Sequence, residues 1–353
     1  MDGKHTKLDP FQGFFFLEFP RHLVLYILFI RFWIESLNFI TNNFGATMNE
    51  AKYIWMNGEF KPWREAQTHV LSHTLHYGNG VIEGTKAYKT AKGYAIFRLN
   101  DHTERLLESA KMTLIDIPYT VKELNEAQLE LLRKNEFEGD NVYLRPFSFL
   151  GYGVMGVYHK EAPVETVLAA WEWGAYLGEE GLKSGIRLKI ASMNRPSNTS
   201  NMGKAKATAN YLNSQMAKFE AIECGYDEAL LLDDQGYVAE ASGAAFFMVY
   251  KGQLISPPND NSLESITQKT VIEIAKDMGY EVVRRRISRE EVYIAEEAFL
   301  TGTAAEITPV RDIDARIIGG GSRGPITEKL QSTYFDIVFG RNAKYEHYLT
   351  YID

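Results

Sequence analysis

From residue 53 onward the rhythm of apolar and polar positions changes every few residues, marking out short strands and a few amphipathic helices. YIWMNGEFKPW (53–63) reads as two strands around Asn57-Gly58, a dipeptide suited to a tight hairpin turn. AIFRL (95–99) reads as a strand. In the following NDHTERLLESAKMTL, Asn100 or Asp101 is expected to cap a helix that turns Leu106, Leu107 and Ala110 inward. VKELNEAQLELLRKNE (121–136) predicts a second helix, and VYLRPFSFLG and TVLAAWEWGAYLG read as buried strands. The Gly- and Glu-rich stretch at 178–184 predicts an interdomain linker.

The second half opens with the strand pattern GIRLKIAS (185–192), and a helix is expected from Ala209 to Glu223. EALLLD and YVAEAS flank the turn DDQG, and AFFMVYKGQLISPP reads as a further hairpin. ITQKTVIEIAKDMG (266–279) has Ile266, Val271, Ile274 and Ala275 at helical spacing. PITEKLQSTYFDIVFG predicts a helix with Pro325 at its favoured first position. Strands outnumber helices without regular alternation, which gives an α+β class rather than a doubly wound sheet.

The first 47 residues break this pattern. FQGFFFLEFPRHLVLYILFIRFWIESLNF is apolar, yet Glu18, Arg21, His22, Arg31 and Glu35 interrupt it, and its longest clean run is LVLYILFI. A bilayer crossing needs about 20 predominantly apolar residues. The segment also lacks the order of a secretory signal. It is therefore expected to be extraneous to the fold, with translation beginning at Met48; a weak membrane anchor is the alternative.

Composition narrows the function classes. The 353 residues carry a net charge of −8, leaving no basic excess to neutralise nucleic-acid phosphates. The single cysteine, Cys224, rules out an internal disulfide framework or a cysteine-based metal cluster, and suits a reducing cytoplasmic location. GGGSRG (319–324) formally matches a dinucleotide-binding loop. The helix after it runs almost to the C-terminus, so no strand remains to complete the unit, and a plain loop is expected. His73 and His76, with Glu83 nearby, do not share the spacing of helical metal ligands, and no metal is expected. NMGKAKATANYLNSQM (201–216) places Lys204 and Lys206 among small residues that would let a flat ring approach the backbone. A catalytic lysine needs burial or cationic neighbours to lower its pKa.

Seven stretches then occur in order: HYGNGVIEG (76–84), FRLNDHTERL (97–106), YLRPFSFLGYGVMGV (143–157), WEWGAYLG (171–178), KAKATANYL (204–212), YVAEASG (237–243) and TGTAAEITPV (301–310). Together they resemble the branched-chain-amino-acid aminotransferases of the class IV pyridoxal-phosphate family, from about Tyr53 to about Gly340. The resemblance implies an α+β, two-domain enzyme of fold type IV. Its smaller N-terminal domain would span 48–177, and a larger cofactor-binding domain with a barrel-like mixed sheet would span 185–353.

By the same resemblance, Lys206 rather than Lys204 forms the Schiff base with pyridoxal 5'-phosphate and acts as general acid and base. Glu240 faces the pyridine nitrogen, and Tyr211 stands beside the cofactor oxygen. Arg105, Ile266, Thr267 and Thr303 receive the phosphate, the first two residues of the helix at Ile266 supplying N–H donors and a favourable dipole. Tyr143 and the turn Thr303-Ala304-Ala305 resemble the α-carboxylate site. Arg145 resembles the residue that receives the distal carboxylate of glutamate. Tyr77, Trp173 and Tyr176 would form apolar wall, and Met155 and Val157 would reach the pocket of a neighbouring subunit, implying a homodimer or higher homo-oligomer. Ile82 and Ala245 depart from the family's usual Phe and Asn, and Ile82 should widen the substrate pocket.

The implied activity is reversible transfer of an amino group between L-leucine, L-isoleucine or L-valine and 2-oxoglutarate, with amino acids and 2-oxo acids as the partners. Alternatives of the same fold are a D-amino-acid aminotransferase, an (R)-amine transaminase and aminodeoxychorismate lyase. From other classes, the alternatives are a non-catalytic cofactor-binding relative and a membrane-anchored scaffold.

Overall fold

The computed structural model describes residues 49–352. The expectations for residues 1–47 and for a start at Met48 lie outside the described residues.

Among the described residues, seven strands precede residue 178: β1 (Tyr53–Met56), β2 (Glu59–Pro62), β3 (Gly80–Ile82), β4 (Thr85–Thr90), β5 (Gly93–Phe97), β6 (Asn141–Leu150) and β7 (Val164–Glu172). Nine follow it: β8 (Ile186–Ile190), β9 (Glu228–Leu232), β10 (Val238–Ala241), β11 (Ala245–Tyr250), β12 (Gln253–Ser256), β13 (Val282–Arg284), β14 (Glu297–Gly302), β15 (Glu306–Ile313) and β16 (Arg316–Ile317). A further strand, β17 (Leu349–Tyr351), lies near the C-terminus. The first sheet runs β17-β5-β4-β6-β7-β1-β2, with β3 on β6, and all its pairings are antiparallel. The second runs β10-β9-β8-β15-β14-β11-β12-β13, with β16 on β15. It is mixed: β8 pairs parallel with β9 and β15, and β12 with β13. The α+β class with a mixed second sheet is thus what the chain adopts.

The expected hairpin forms because Asn57 and Gly58 both take the positive φ that a two-residue turn requires. The helix α1 (His73–Tyr77) is a single turn. The next, α2, covers Leu99–Met112 and starts earlier than either predicted cap. Asp101 is engaged elsewhere: it pairs with Arg98 at 2.6 Å, and Arg98 also stacks on Tyr348. In α3 (Val121–Asn135) Thr120 and Glu123 cap each other reciprocally. The stretch predicted as a linker instead holds a short helix, α4 (Glu179–Ser184), because Gly178 and Gly185 supply the positive φ that brackets one turn. The predicted strand TVLAAWEWGAYLG stops at Glu172, whose carboxylate accepts the N–H groups of Glu138 and Gly139. Beyond it Trp173 and Tyr176 leave the sheet.

The remaining helices are α5 (Tyr211–Glu223), α6 (Ile266–Asp277) and α7 (Pro325–Val338). The C-terminus crosses back, since β17 closes the edge of the first sheet against β5, although a single C-terminal unit was expected to run from 185 to 353. One hydrophobic cluster spans both sheets, joining Tyr88 and Phe97 to Phe247, Phe299 and Tyr334. That shared core fixes one sheet against the other and leaves a cleft between them.

Candidate active site

The GGGSRG loop is a plain loop before α7, as its sequence context suggested. The N-terminus of α7 is already closed: Glu297 accepts the N–H groups of Ile326 and Thr327 at 3.0 and 2.7 Å. A Cβ at Gly324 would fall 2.2 Å from the Glu297 carboxyl carbon, so glycine is needed there for the cap rather than for a phosphate. The N-terminus of α6 differs. Ser265 caps Gln268, while Ile266 opens the helix at the wall of a cavity. Its first N–H groups have no partner within the helix.

That cavity lies between the sheets. Arg105, Lys206, Tyr211, Glu240, Ile266 and Thr303 all line it. So do Tyr143, Arg145, Trp173, Tyr176 and Ala304, together with the two departures Ile82 and Ala245. Thr267 and Ala305 are buried next to it but do not line it. Tyr77, expected as pocket wall, is exposed and packs on His73 with ring centroids 4.5 Å apart. Tyr77 is the last residue of α1, before the left-handed cap at Gly78, and its ring lies against the helix's own His73 rather than in the cavity. Met155 and Val157 are likewise exposed and do not line it.

Lys206 is the lysine that faces inward; Lys204 is exposed. The backbone around Lys206 is clamped from the first sheet. Ser109 of α2 accepts its N–H at 3.0 Å, and its carbonyl accepts the N–H of Ile82 at 3.0 Å. Its Nζ lies 5.7 Å from the centre of the Tyr211 ring. Burial works against its charge, but the negative potential of Tyr211 and Glu83 outweighs this, and its ammonium is held above the usual lysine range. The lowered pKa expected for a catalytic lysine is therefore not found in the protein alone, because acidic rather than cationic groups dominate its surroundings.

At one end Arg105 is fixed by Glu83, a fully buried residue. Nε and Nη2 of Arg105 meet the two carboxylate oxygens at 2.6 and 2.9 Å, and Nη1 donates to the Glu264 carbonyl. His102 Nδ1 lies 2.8 Å from the same carboxylate. Burial raises the Glu83 pKa, yet Arg105 and His102 overcome it and hold the carboxyl far below the usual range. Burial pushes His102 the other way, toward the neutral form. Glu83 is thus a structural anion that orients Arg105 and His102.

Glu240 reaches the cavity through a bulge, since the β10–β9 register shifts between Val238 and Glu240 and re-aims the side chain. It pairs with Arg195 at 2.7 Å. Burial pushes its carboxyl up more than Arg195 and Lys206 pull it down. Arg195, buried and distant in sequence, was missed; the only available signal was that a buried glutamate needs a cationic partner.

At the other end Tyr143 sits above Gly84. A Cβ there would lie 1.9 Å from the tyrosine hydroxyl, so the glycine makes room for that group at the cavity wall. Arg145 donates to the Tyr143 hydroxyl at 3.3 Å and lies 6.0 Å from the centre of Trp171. Its buried Nε has no hydrogen-bond partner, nor has the Thr301 hydroxyl, which also lines the cavity.

These residues fit the expected cofactor. Arg105 and the open N-terminus of α6 suit its phosphate, Lys206 its aldehyde, and Glu240 its ring nitrogen. The orphaned donors at Arg145 and Thr301 leave capacity for a second, substrate anion. Among the described residues no group of His, Cys, Asp and Glu is placed to hold a metal, and no helix is long and apolar enough to cross a membrane.

Comparison with known proteins agrees. The model for amino-transferase class IV matches residues 80–313. The chain is 47% identical over 299 residues to the branched-chain-amino-acid aminotransferase of Pseudomonas aeruginosa, covering 85% of this chain and 97% of that one. The T.th. branched-chain amino acid aminotransferase complexed with N-(5'-phosphopyridoxyl)-L-glutamate superposes with a TM-score of 0.82 and 48% identity, over 86% of this chain and 99% of the other. The same enzyme complexed with 4-methylvaleric acid gives a TM-score of 0.81 and 46% identity, over 86% and 99%.

Proposed function

The chain belongs to the class IV aminotransferase family, and from that premise we propose that it is a branched-chain-amino-acid aminotransferase dependent on pyridoxal 5'-phosphate. It transfers an amino group reversibly between L-leucine, L-isoleucine or L-valine and 2-oxoglutarate, in a ping-pong sequence. The observation that carries this reading is one cavity holding an inward-facing lysine, Lys206, and an arginine, Arg145, with unspent donor capacity. The alternatives acting on D-amino acids or (R)-amines are not favoured, because the matched relatives are branched-chain enzymes.

Bound cofactor supplies an electron sink for negative charge developing at the substrate Cα. Lys206 takes the Cα proton. Tyr211 and Glu83, which favour its ammonium, make the neutral amine a stronger base. Glu240, with its carboxyl pushed up by burial, would hold the ring nitrogen of bound cofactor by sharing a proton with it. Tyr143 and the Thr303-Ala304 turn orient the α-carboxylate, and Arg145 receives the distal carboxylate of glutamate. Trp173 and Tyr176 provide wall for a branched side chain and exclude water.

The enzyme works in the cytoplasm as a homodimer or larger homo-oligomer. Exposed apolar side chains support the assembly: Leu75, Tyr77, Tyr152, Met155, Val157 and Tyr158 gather around α1 and the loop after β6. The test is a panel of amino donors, L and D separately, with 2-oxoglutarate as acceptor. Turnover of L-leucine, L-isoleucine and L-valine is expected, and turnover of D-donors alone would overturn the reading.

A further inference from the structure

Two walls of the cavity come from different sheets. Tyr143 and Arg145 project from β6, while Thr303 and Ala304 belong to the turn between β14 and β15. Immediately after that turn Glu306 begins β15 with φ 52°, a left-handed conformation seldom adopted by a residue other than glycine. Its buried carboxylate receives Lys86 Nζ at 2.8 Å and the Tyr88 hydroxyl at 3.0 Å. Both donors stand two apart on β4 and so share one face. Lys86 lies directly opposite Tyr143 in the β4–β6 ladder. None of these three residues lines the cavity.

A single carboxylate therefore ties the strand pair that carries Tyr143 to the turn that carries Thr303 and Ala304. Burial and the charge of Glu306 push the Tyr88 phenol up, so it remains a donor to that carboxylate. A buried ion pair is weak evidence for stability, because desolvation offsets most of the Coulombic gain. Here it joins two surfaces that must be correctly spaced, and it holds the residue after the turn in a strained conformation.

We propose that Glu306, with Lys86 and Tyr88, is a positioning group that sets the spacing between the Tyr143–Arg145 wall and the Thr303-Ala304 turn. A substrate carboxylate bridging the two is then bound without rearrangement; this rests on the reading of the cavity as an amino-acid site. The experiment compares wild type with Glu306→Gln, Lys86→Arg and the double variant Lys86→Met/Glu306→Gln, all as cofactor-loaded protein. The double variant leaves no buried charge unpaired, so it should fold even if a single change does not. Calorimetric binding of 4-methylvaleric acid, which resembles leucine without its amine, is measured beside KM and kcat for L-leucine and the melting midpoint.

The expected result is a rise of about tenfold or more in both Kd and KM for Glu306→Gln and the double variant, the scale of a weakened hydrogen bond to a charged carboxylate. The kcat value stays near wild type, and Lys86→Arg recovers most of the affinity. Unchanged Kd and KM in a double variant that only melts earlier would overturn the proposal, as would a loss confined to kcat. Wild-type protein that neither binds 4-methylvaleric acid nor turns over L-leucine would overturn the functional reading itself, a failure distinct from any behaviour of the variants.

Discussion

Two arginines line the same cavity and are held in opposite ways. Arg105 meets Glu83 through a two-pronged ion pair and also donates to a backbone carbonyl, so its position is settled before any ligand arrives. Arg145 donates to a tyrosine hydroxyl and otherwise lies against aromatic rings, and one of its buried nitrogens has no partner. A guanidinium neutralised by a buried carboxylate suits a group that stays bound through every turnover, such as a cofactor phosphate. One with spare donors suits an anion that comes and goes. A transaminase needs both, because each cycle admits a substrate with a distal carboxylate and one without.

The largest effect separates chemistry from either end. Lys206→Ala should cut turnover by at least about 10²–10⁴-fold, the usual contribution of a positioned acid–base group. Binding of 4-methylvaleric acid at the Arg145 end should survive. Lys204→Ala, at an exposed position, should leave turnover near wild type. Rapid kinetics with L-leucine checks both, and full activity in Lys206→Ala would break the assignment.

The Arg105 end should fail as a unit. Glu83→Leu leaves a largely buried guanidinium without its partner and should destabilise the fold by about 3–5 kcal/mol, with looser cofactor retention. Its pH dependence has a definite sign. The folded-state pKa of Glu83 is lowered, so its contribution is present above the ordinary carboxylate range and is lost as pH falls through and below about 4.3. The pKa of His102 is also lowered, so the unfolded chain takes up its proton first and stability begins to fall as pH drops through about 6.5. Denaturant midpoints from pH 7 to pH 4 should decline in the wild type, and the part of the decline below about pH 5 should be smaller in Glu83→Gln. A flat wild-type profile would contradict the paired geometry.

The Arg145 end should show selectivity instead. Arg145→Leu should lower kcat/KM for L-glutamate by about 10–100-fold, the range for a lost hydrogen bond to a charged group. L-leucine should change only a few-fold, because its side chain offers nothing to a guanidinium. Equal losses for both donors would show that Arg145 supports the site rather than reads the substrate.

The difference between the two ends also explains what could be read from the chain. Lys206, Tyr211, Glu240 and Thr303 lie in short local motifs whose neighbours already constrain them, and all line the cavity. The hairpin at Asn57-Gly58 is likewise local. Contacts between distant segments were not legible: Arg195 with Glu240, Glu83 with Arg105, and Ser109 beneath the Lys206 backbone. Glu83 drew attention only as a doubtful metal ligand, because sequence spacing does not reveal an arginine one helix away. The start of α2 was misplaced for the same reason, since Asp101 is used by Arg98, whose position depends on Tyr348 near the other end of the chain. Tyr77 was placed in the cavity by motif alone, yet its ring packs on His73 of the same short helix and is exposed.

The smallest effect sharpens what the free end of the cavity admits. Ile82 lines the cavity beside Gly84, and the N–H of Ile82 holds the Lys206 carbonyl. A larger ring at this position would keep that backbone bond, because the side chain takes no part in it, while filling space next to the substrate side chain. One methylene in an apolar pocket discriminates by about 1–3 kcal/mol. Ile82→Phe should therefore lower kcat/KM for bulky donors such as L-phenylalanine by about tenfold or more relative to L-valine. Cofactor absorbance should be unchanged, since the Arg105 end is set by Glu83 and not by this side chain. Parallel donor series for wild type and Ile82→Phe decide it: an unchanged ratio would mean that Ile82 does not bound the substrate side chain, and that Trp173 and Tyr176 do so without it.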